Sequence, residues 1–228
     1  IFSLYLGDLD IGIAVSLFTN SIILLLLTNV DMVVRKNSYI LVGAILAINF
    51  IFLPTTWPMT FFVILHIIGT SDKVGLHFFR LLFGMFLIGI SYFGIAYFLG
   101  MNSWNPVYFP FGEFKISEHI SYLIWLLPIA LLLIHAVMDH FRNFNKKSPT
   151  SKFKYTFLLI FSLAQLITIV LYMGNQYEYL LLLALPTSII LSRMLKFLPR
   201  YWMKETGLWL IIFSLVLFKL TNYFKFNI

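Results

Sequence analysis

The chain has 228 residues, of which 61% are hydrophobic and 11% charged, with no cysteine and a formal charge of +7. This balance excludes a soluble globular domain with a mixed-charge surface, a disulfide framework, and any cysteine nucleophile or cysteine-based metal site. Nor is the positive charge a nucleic-acid footprint: the basic residues fall in short turns between apolar runs, which is the pattern of topogenic charge facing lipid and cytoplasm.

Asp8 and Asp10 stand ahead of a first apolar run, 11–30, where carboxylates suit the positive end of a helix. The opening LYLGDLD lacks the basic region and small-residue cleavage site of a signal peptide, and the start at Ile1 leaves room for a helix upstream. After a turn holding Asp31, Arg35 and Lys36 comes a long apolar stretch, 39–69, divided by Pro54, Thr55, Thr56 and Pro58. It reads as two short, proline-bounded crossings, 39–54 and 57–69, with a kinked pair that dips into the membrane as the alternative.

Further crossings are expected at 81–100, 120–138, 155–173, 179–195 and 207–224. The fold expected is therefore all-α, a polytopic transmembrane helix bundle of about eight crossings. It forms a single transmembrane domain over 1–228 with both termini on the outer side. That arrangement places 13 of the 16 Lys and Arg residues inside, from Arg35 and Lys36 through the segment DHFRNFNKKSPTSKFK to Arg200 and Lys204. The outer loop 101–118 carries Trp104, Tyr108, Phe109, Phe111 and Phe114 among Pro106, Pro110 and Gly112, an aromatic surface for the membrane interface or for a partner protein. Asn175 and Glu178 have the spacing of a capping box, and Pro128 and Pro186 lie within apolar runs, where they predict bent helices.

Ionisable groups within or beside spans are the candidates for chemistry. His135 and Asp139 are four residues apart and share a helix face, with Arg142 nearly one turn on, so a structural ion pair at headgroup level is expected. Metal ligation by His135, Asp139 and His140 is a weaker reading, because one helical turn supplies only part of a ligand shell and no second cluster exists. Arg142, Lys146 and Lys147 form a candidate contact for lipid phosphate. His66, His77 and His119 give no matched pairs of the kind that hold membrane haem, and no motif implies a metal or other cofactor. Asn20, Asn49, Gln165 and Thr168 are expected to make hydrogen bonds between helices. Asp8 and Asp10 are the one catalytic alternative, as a base or as holders of a divalent cation against a lipid-linked donor.

Two stretches, VVRKNSYILVGAILAINFIFLP and QYEYLLLLALPTSIILSRMLKFLPRYWMKETGLWLIIFSLVLF, resemble a family of small polytopic inner-membrane proteins of Bacteroidetes. The shared features are the Asn-Ser-Tyr start of an apolar run, Pro186 within an apolar helix, and the turn at Lys204 and Glu205. The resemblance implies a bacterial inner membrane and carries no catalytic residue to any position. Together these observations predict an integral-membrane subunit or scaffold of a larger complex, with lipid and other membrane subunits as partners and no nucleic acid. A polyprenyl- or glycerolipid-handling enzyme, glycosyltransferase-like, or a transporter is the alternative.

Overall fold

The structure, a computed structural model, describes residues 10–29, 37–101, 110–112, 114–115 and 120–224. Eight α-helices run through these residues: α1 Ile11–Leu27, α2 Tyr39–Phe52, α3 Trp57–Thr70, α4 Val74–Phe98, α5 Leu127–Arg142, α6 Pro149–Tyr172, α7 Leu181–Phe197 and α8 Tyr201–Phe224. The all-α expectation agrees with this, but the expectation of about eight crossings does not.

Among the described residues only four helical spans are long and apolar enough to cross a membrane: Val74–Phe98, Leu123–Arg142, Pro149–Tyr172 and Tyr177–Phe197. The correction has a plain physical cause. At 1.5 Å per residue, the 17 residues of α1 and the 14 each of α2 and α3 reach roughly 21 to 26 Å, short of a hydrocarbon core of about 30 Å. Leu53 leaves the helical region at φ −143° and ψ 83°, and a single turn of 3-10 helix, Pro54–Thr56, then separates α2 from α3. The last helix, α8, carries Lys204, Glu205 and Lys219 along its length and is not among the four.

Helix ends also differ from the expected bounds. The span expected at 81–100 begins at Val74, which brings Arg80 into α4, where its guanidinium donates to Asn37 Oδ1 at 3.4 Å. Pro128 does not bend a helix: Ile120–Leu126 is 3-10, and Pro128 lies in the first turn of α5, where its missing N–H costs nothing. Pro186 does lie inside α7. The capping box at Asn175 is not formed, since the turn into α7 is capped at Gln176 without a side-chain bond. Gly174 takes φ +50° there and donates to the Lys115 carbonyl at 2.8 Å, while Lys115 donates to the Leu171 carbonyl at 2.8 Å.

Apolar side chains gain little by leaving lipid for one another, so close backbone approach and interhelical hydrogen bonds must hold such a bundle. Both are present. The α2–α4 seam closes at Gly43, whose Cα faces the Leu81 carbonyl, and at Gly84, whose Cα faces the Ile40 carbonyl and the Ala44 amide. Between α1 and α2, Thr19 Oγ1 donates to Asn49 Oδ1 at 2.7 Å, and Asn49 Nδ2 donates to Asn20 Oδ1 at 3.2 Å. α6 is the central helix, half buried along its apolar stretch, with Phe157 and Phe161 in the main core. α4 and α5 are peripheral: only 17% and 11% of their apolar stretches are buried.

Candidate functional site

At the end where α5 finishes, α6 starts and α7 finishes, the helices do not close on one another. They surround a cavity of about 600 Å³ whose polar wall is His135, Asp139, Asn143, Lys147, Ser148, Ser151, Tyr155 and Arg193, with Met194, Phe197 and Met203 among the apolar residues. The local sequence explains the gathering. His135, Asp139 and Asn143 repeat at every fourth position along α5 and so share one face. The turn 143–148 reverses the chain, Ser148 accepts from the Ser151 amide at 3.3 Å as N-cap, and Pro149 opens α6.

Arg193, a turn before the end of α7, reaches across to α6. Its Nη2 donates to Ser151 Oγ at 2.8 Å, and its guanidinium lies 4.4 Å from the centre of the Tyr155 ring. That cation–π contact holds the guanidinium over the ring, and among the described residues its bond to Ser151 leaves most of its five N–H donors unspent. Lys147 enters from the turn, with Nζ 3.3 Å from His140 Nδ1, 4.0 Å from Asp139 Oδ2 and 5.7 Å from the centre of the same Tyr155 ring. An ammonium only donates, so His140 accepts at Nδ1 and carries its proton on Nε2. Burial of the ammonium holds Lys147 below the usual lysine range; Asp139 opposes that shift and Arg193 adds to it. Asp139 is further held by Asn143 Nδ2, which donates to Oδ1 at 2.7 Å.

His135 and Asp139 thus line one cavity, but the recorded partners of Asp139 are Asn143 and Lys147 rather than His135. Arg142 ends α5 outside the cavity wall, Lys147 lines the cavity, and the side chain of Lys146 lies outside the described residues. Arg193 is the site residue that sequence reasoning missed, having counted it only as topogenic charge. Its signal was its position inside the apolar run, where Lys196, Arg200 and Lys204 lie at or beyond the helix end. Among the described residues no group of three or more His, Asp or Glu side chains is placed to hold a metal ion.

At the opposite end, Asp10 Oδ1 accepts from the Gly12 and Ile13 amides at 2.7 and 3.2 Å and so caps α1, while Glu178 Oε2 accepts from the Asp10 amide at 3.4 Å. Asp8, Trp104, Tyr108 and Phe109 lie outside the described residues. Phe111 is described, exposed, with its ring 5.4 Å from that of Trp57, whose Nε1 donates to the Tyr172 hydroxyl at 2.8 Å. Of the four polar residues expected between helices, Asn20 and Asn49 bond to each other. Thr168 donates within α6 to the Ala164 carbonyl at 3.2 Å, and Gln165 is buried with neither amide atom partnered among the described residues.

Compared with known proteins, residues 1–226 match the model of a family of unknown function, DUF6427. No curated protein and no solved structure matches the chain.

Proposed function

We propose that this chain, which belongs to the DUF6427 family of unknown function, is a multi-pass membrane protein that binds the phosphate-bearing headgroup of a lipid in the cavity between α5, α6 and α7. The observation that carries this reading is the pair of cations, Arg193 and Lys147, held at the rim of three membrane-length spans around a cavity large enough for a headgroup. A guanidinium suits a phosphate diester because its planar donors match two oxygens at once, and the ammonium adds a point charge beside it. The clustering of Lys147, Lys152, Lys154, Lys196 and Arg200 around the same end supports a cytoplasmic placement in a bacterial inner membrane.

The reading is tested by counting lipid phosphorus retained per protein after exchange into phosphate-free detergent. Wild type and Lys73→Gln should retain about one lipid, and Arg193→Gln should retain roughly tenfold less, the loss expected for one charge-assisted bond. Equal retention by wild type and Arg193→Gln refutes it.

A second reading, a subunit or scaffold within a larger membrane complex, is supported by α4, which turns Phe79, Phe83, Phe86 and Phe93 away from the bundle. Mass analysis of chains co-purifying in mild detergent tests it: a partner lost on joint substitution of those phenylalanines by alanine supports a subunit, and a wild type without partner chains rules the reading out.

A further inference from the structure

We infer that the headgroup bound in this cavity is zwitterionic, a phosphodiester bearing a primary ammonium as in phosphatidylethanolamine, with the phosphate at Arg193 and Lys147 and the ammonium at Asp139. The inference rests on the headgroup reading above and specifies its ligand. Its starting observation is that the cavity is not uniformly basic: a carboxylate stands within its wall, 4.0 Å from one of the two cations. Toward a purely anionic headgroup that charge is repulsive, even as it helps keep Lys147 protonated, whereas a zwitterion turns it into a contact.

The side chain of Asp139 is 49% exposed while that of Lys147 is 18% exposed, so the carboxylate is the more open of the pair. A carboxylate offers about four acceptor positions, and Asp139 fills one of them well, with Asn143 Nδ2 at 2.7 Å. Lys147 approaches only to 4.0 Å, the outer limit of an ion pair. A phosphate bound at Arg193 draws Lys147 toward itself and leaves Asp139 without a cation; an ammonium on the same headgroup replaces it. Opposite charges then lie side by side on the protein as they do on the ligand.

The aromatic lining narrows the ammonium class. A quaternary ammonium has no N–H to donate to Asp139 and is ordinarily held by open aromatic faces. Of the tyrosine and phenylalanine rings in the wall, Tyr155 has the Arg193 guanidinium 4.4 Å from its centre and Phe197 has the same guanidinium at 5.9 Å, so both already face a cation and the cavity favours a primary ammonium over choline.

The test is a competition, read by native mass spectrometry, among phosphatidylethanolamine, phosphatidylglycerol and phosphatidylcholine with identical chains. Wild type should retain the ethanolamine lipid about tenfold over each of the others. Asp139→Asn, nearly isosteric and checked for helicity and monodispersity, should bind phospholipid without that preference, and Arg193→Gln should bind all three roughly tenfold less. Preference for phosphatidylglycerol in wild type, or an ethanolamine preference surviving in Asp139→Asn, overturns the zwitterion assignment while leaving the phosphate reading intact. Undiminished binding of all three by Arg193→Gln overturns both. Water-soluble glycerophosphoethanolamine, added alone to delipidated protein, separates lipid from free headgroup: it should bind weakly, and binding equal to the lipid's overturns a membrane source.

Discussion

Replacing Gly84 by alanine adds one methyl group at the place where α4 comes closest to α2. An ideal Cβ there falls against the Ile40 carbonyl oxygen and the Ala44 amide nitrogen, both backbone atoms, well inside van der Waals contact. Backbone cannot rotate aside as a side chain would, so the two helices must separate along the seam that also buries Leu46 and Leu81. Overpacking of this kind costs about 1 to 3 kcal/mol, from which the better helix propensity of alanine returns about 1 kcal/mol. A net loss of up to about 2 kcal/mol follows, and Gly43→Ala, whose Cβ meets the Leu81 carbonyl, should behave alike. The same helix supplies the control. Gly89 has nothing within 4 Å of an added Cβ, so Gly89→Ala keeps only the propensity gain and should stabilise by up to about 1 kcal/mol. Reversible unfolding in mixed micelles of denaturing detergent, followed by circular dichroism, gives the ordering Gly89→Ala, wild type, Gly84→Ala from most to least stable. If Gly84→Ala and Gly89→Ala have the same stability, the claim that backbone contact holds α2 to α4 is wrong.

The half-buried Lys147 ammonium predicts a pH dependence of stability. Its folded-state pKa lies below the ordinary lysine value, so between the two the unfolded chain binds more protons and stability should rise with pH; below the folded value the penalty is present in full. Midpoints of thermal unfolding measured from neutral pH to about 10.4 should climb in wild type and flatten in Lys147→Met; equal slopes in both would exclude Lys147 as the cause. The chain has no native cysteine, so single cysteines report sidedness cleanly. Asn145→Cys and Glu205→Cys should react with an impermeant maleimide from one side and Asn175→Cys from the other, and labelling of all three from one side would break the order of the last three membrane-length spans.

Much of this fold could be read from the residues, and what could not has physical reasons. The four long spans stand out because about 20 apolar residues have few alternatives to crossing a membrane. The stretch 39–69 misled because length and charge were used to count crossings there, whereas Leu53 and Pro54 decide where the helix stops. Gly43 and Gly84 look no different in sequence from Gly75, Gly89 and Gly94, which meet nothing; only the approach of a second helix distinguishes them. At the site, the α5 residues His135 and Asp139 and the turn residue Lys147 were foreseen as candidates, since local spacing brings them into view. Arg193 and Ser151, 42 residues apart in sequence, become neighbours only because α6 and α7 run side by side. Glu178 has the spacing for a local cap, yet it serves the Asp10 amide from the far end of the chain.

The looseness of α5 has a consequence for any molecule that occupies the cavity. Only Ala136 and His140 on that helix are buried, and on its other side an apolar groove of about 500 Å³ separates it from α6. Its cavity-facing wall contributes Asp139, while Arg193 belongs to α7, so a headgroup touching both acts as a cross-brace between a peripheral helix and the body of the bundle. Linkage then makes the effect reciprocal: whatever draws α5 outward weakens the headgroup by the same factor that the headgroup resists the displacement. A lipid held this way would be less a passenger in the protein than one of its structural members, and the composition of the membrane would set how firmly α5 is fastened.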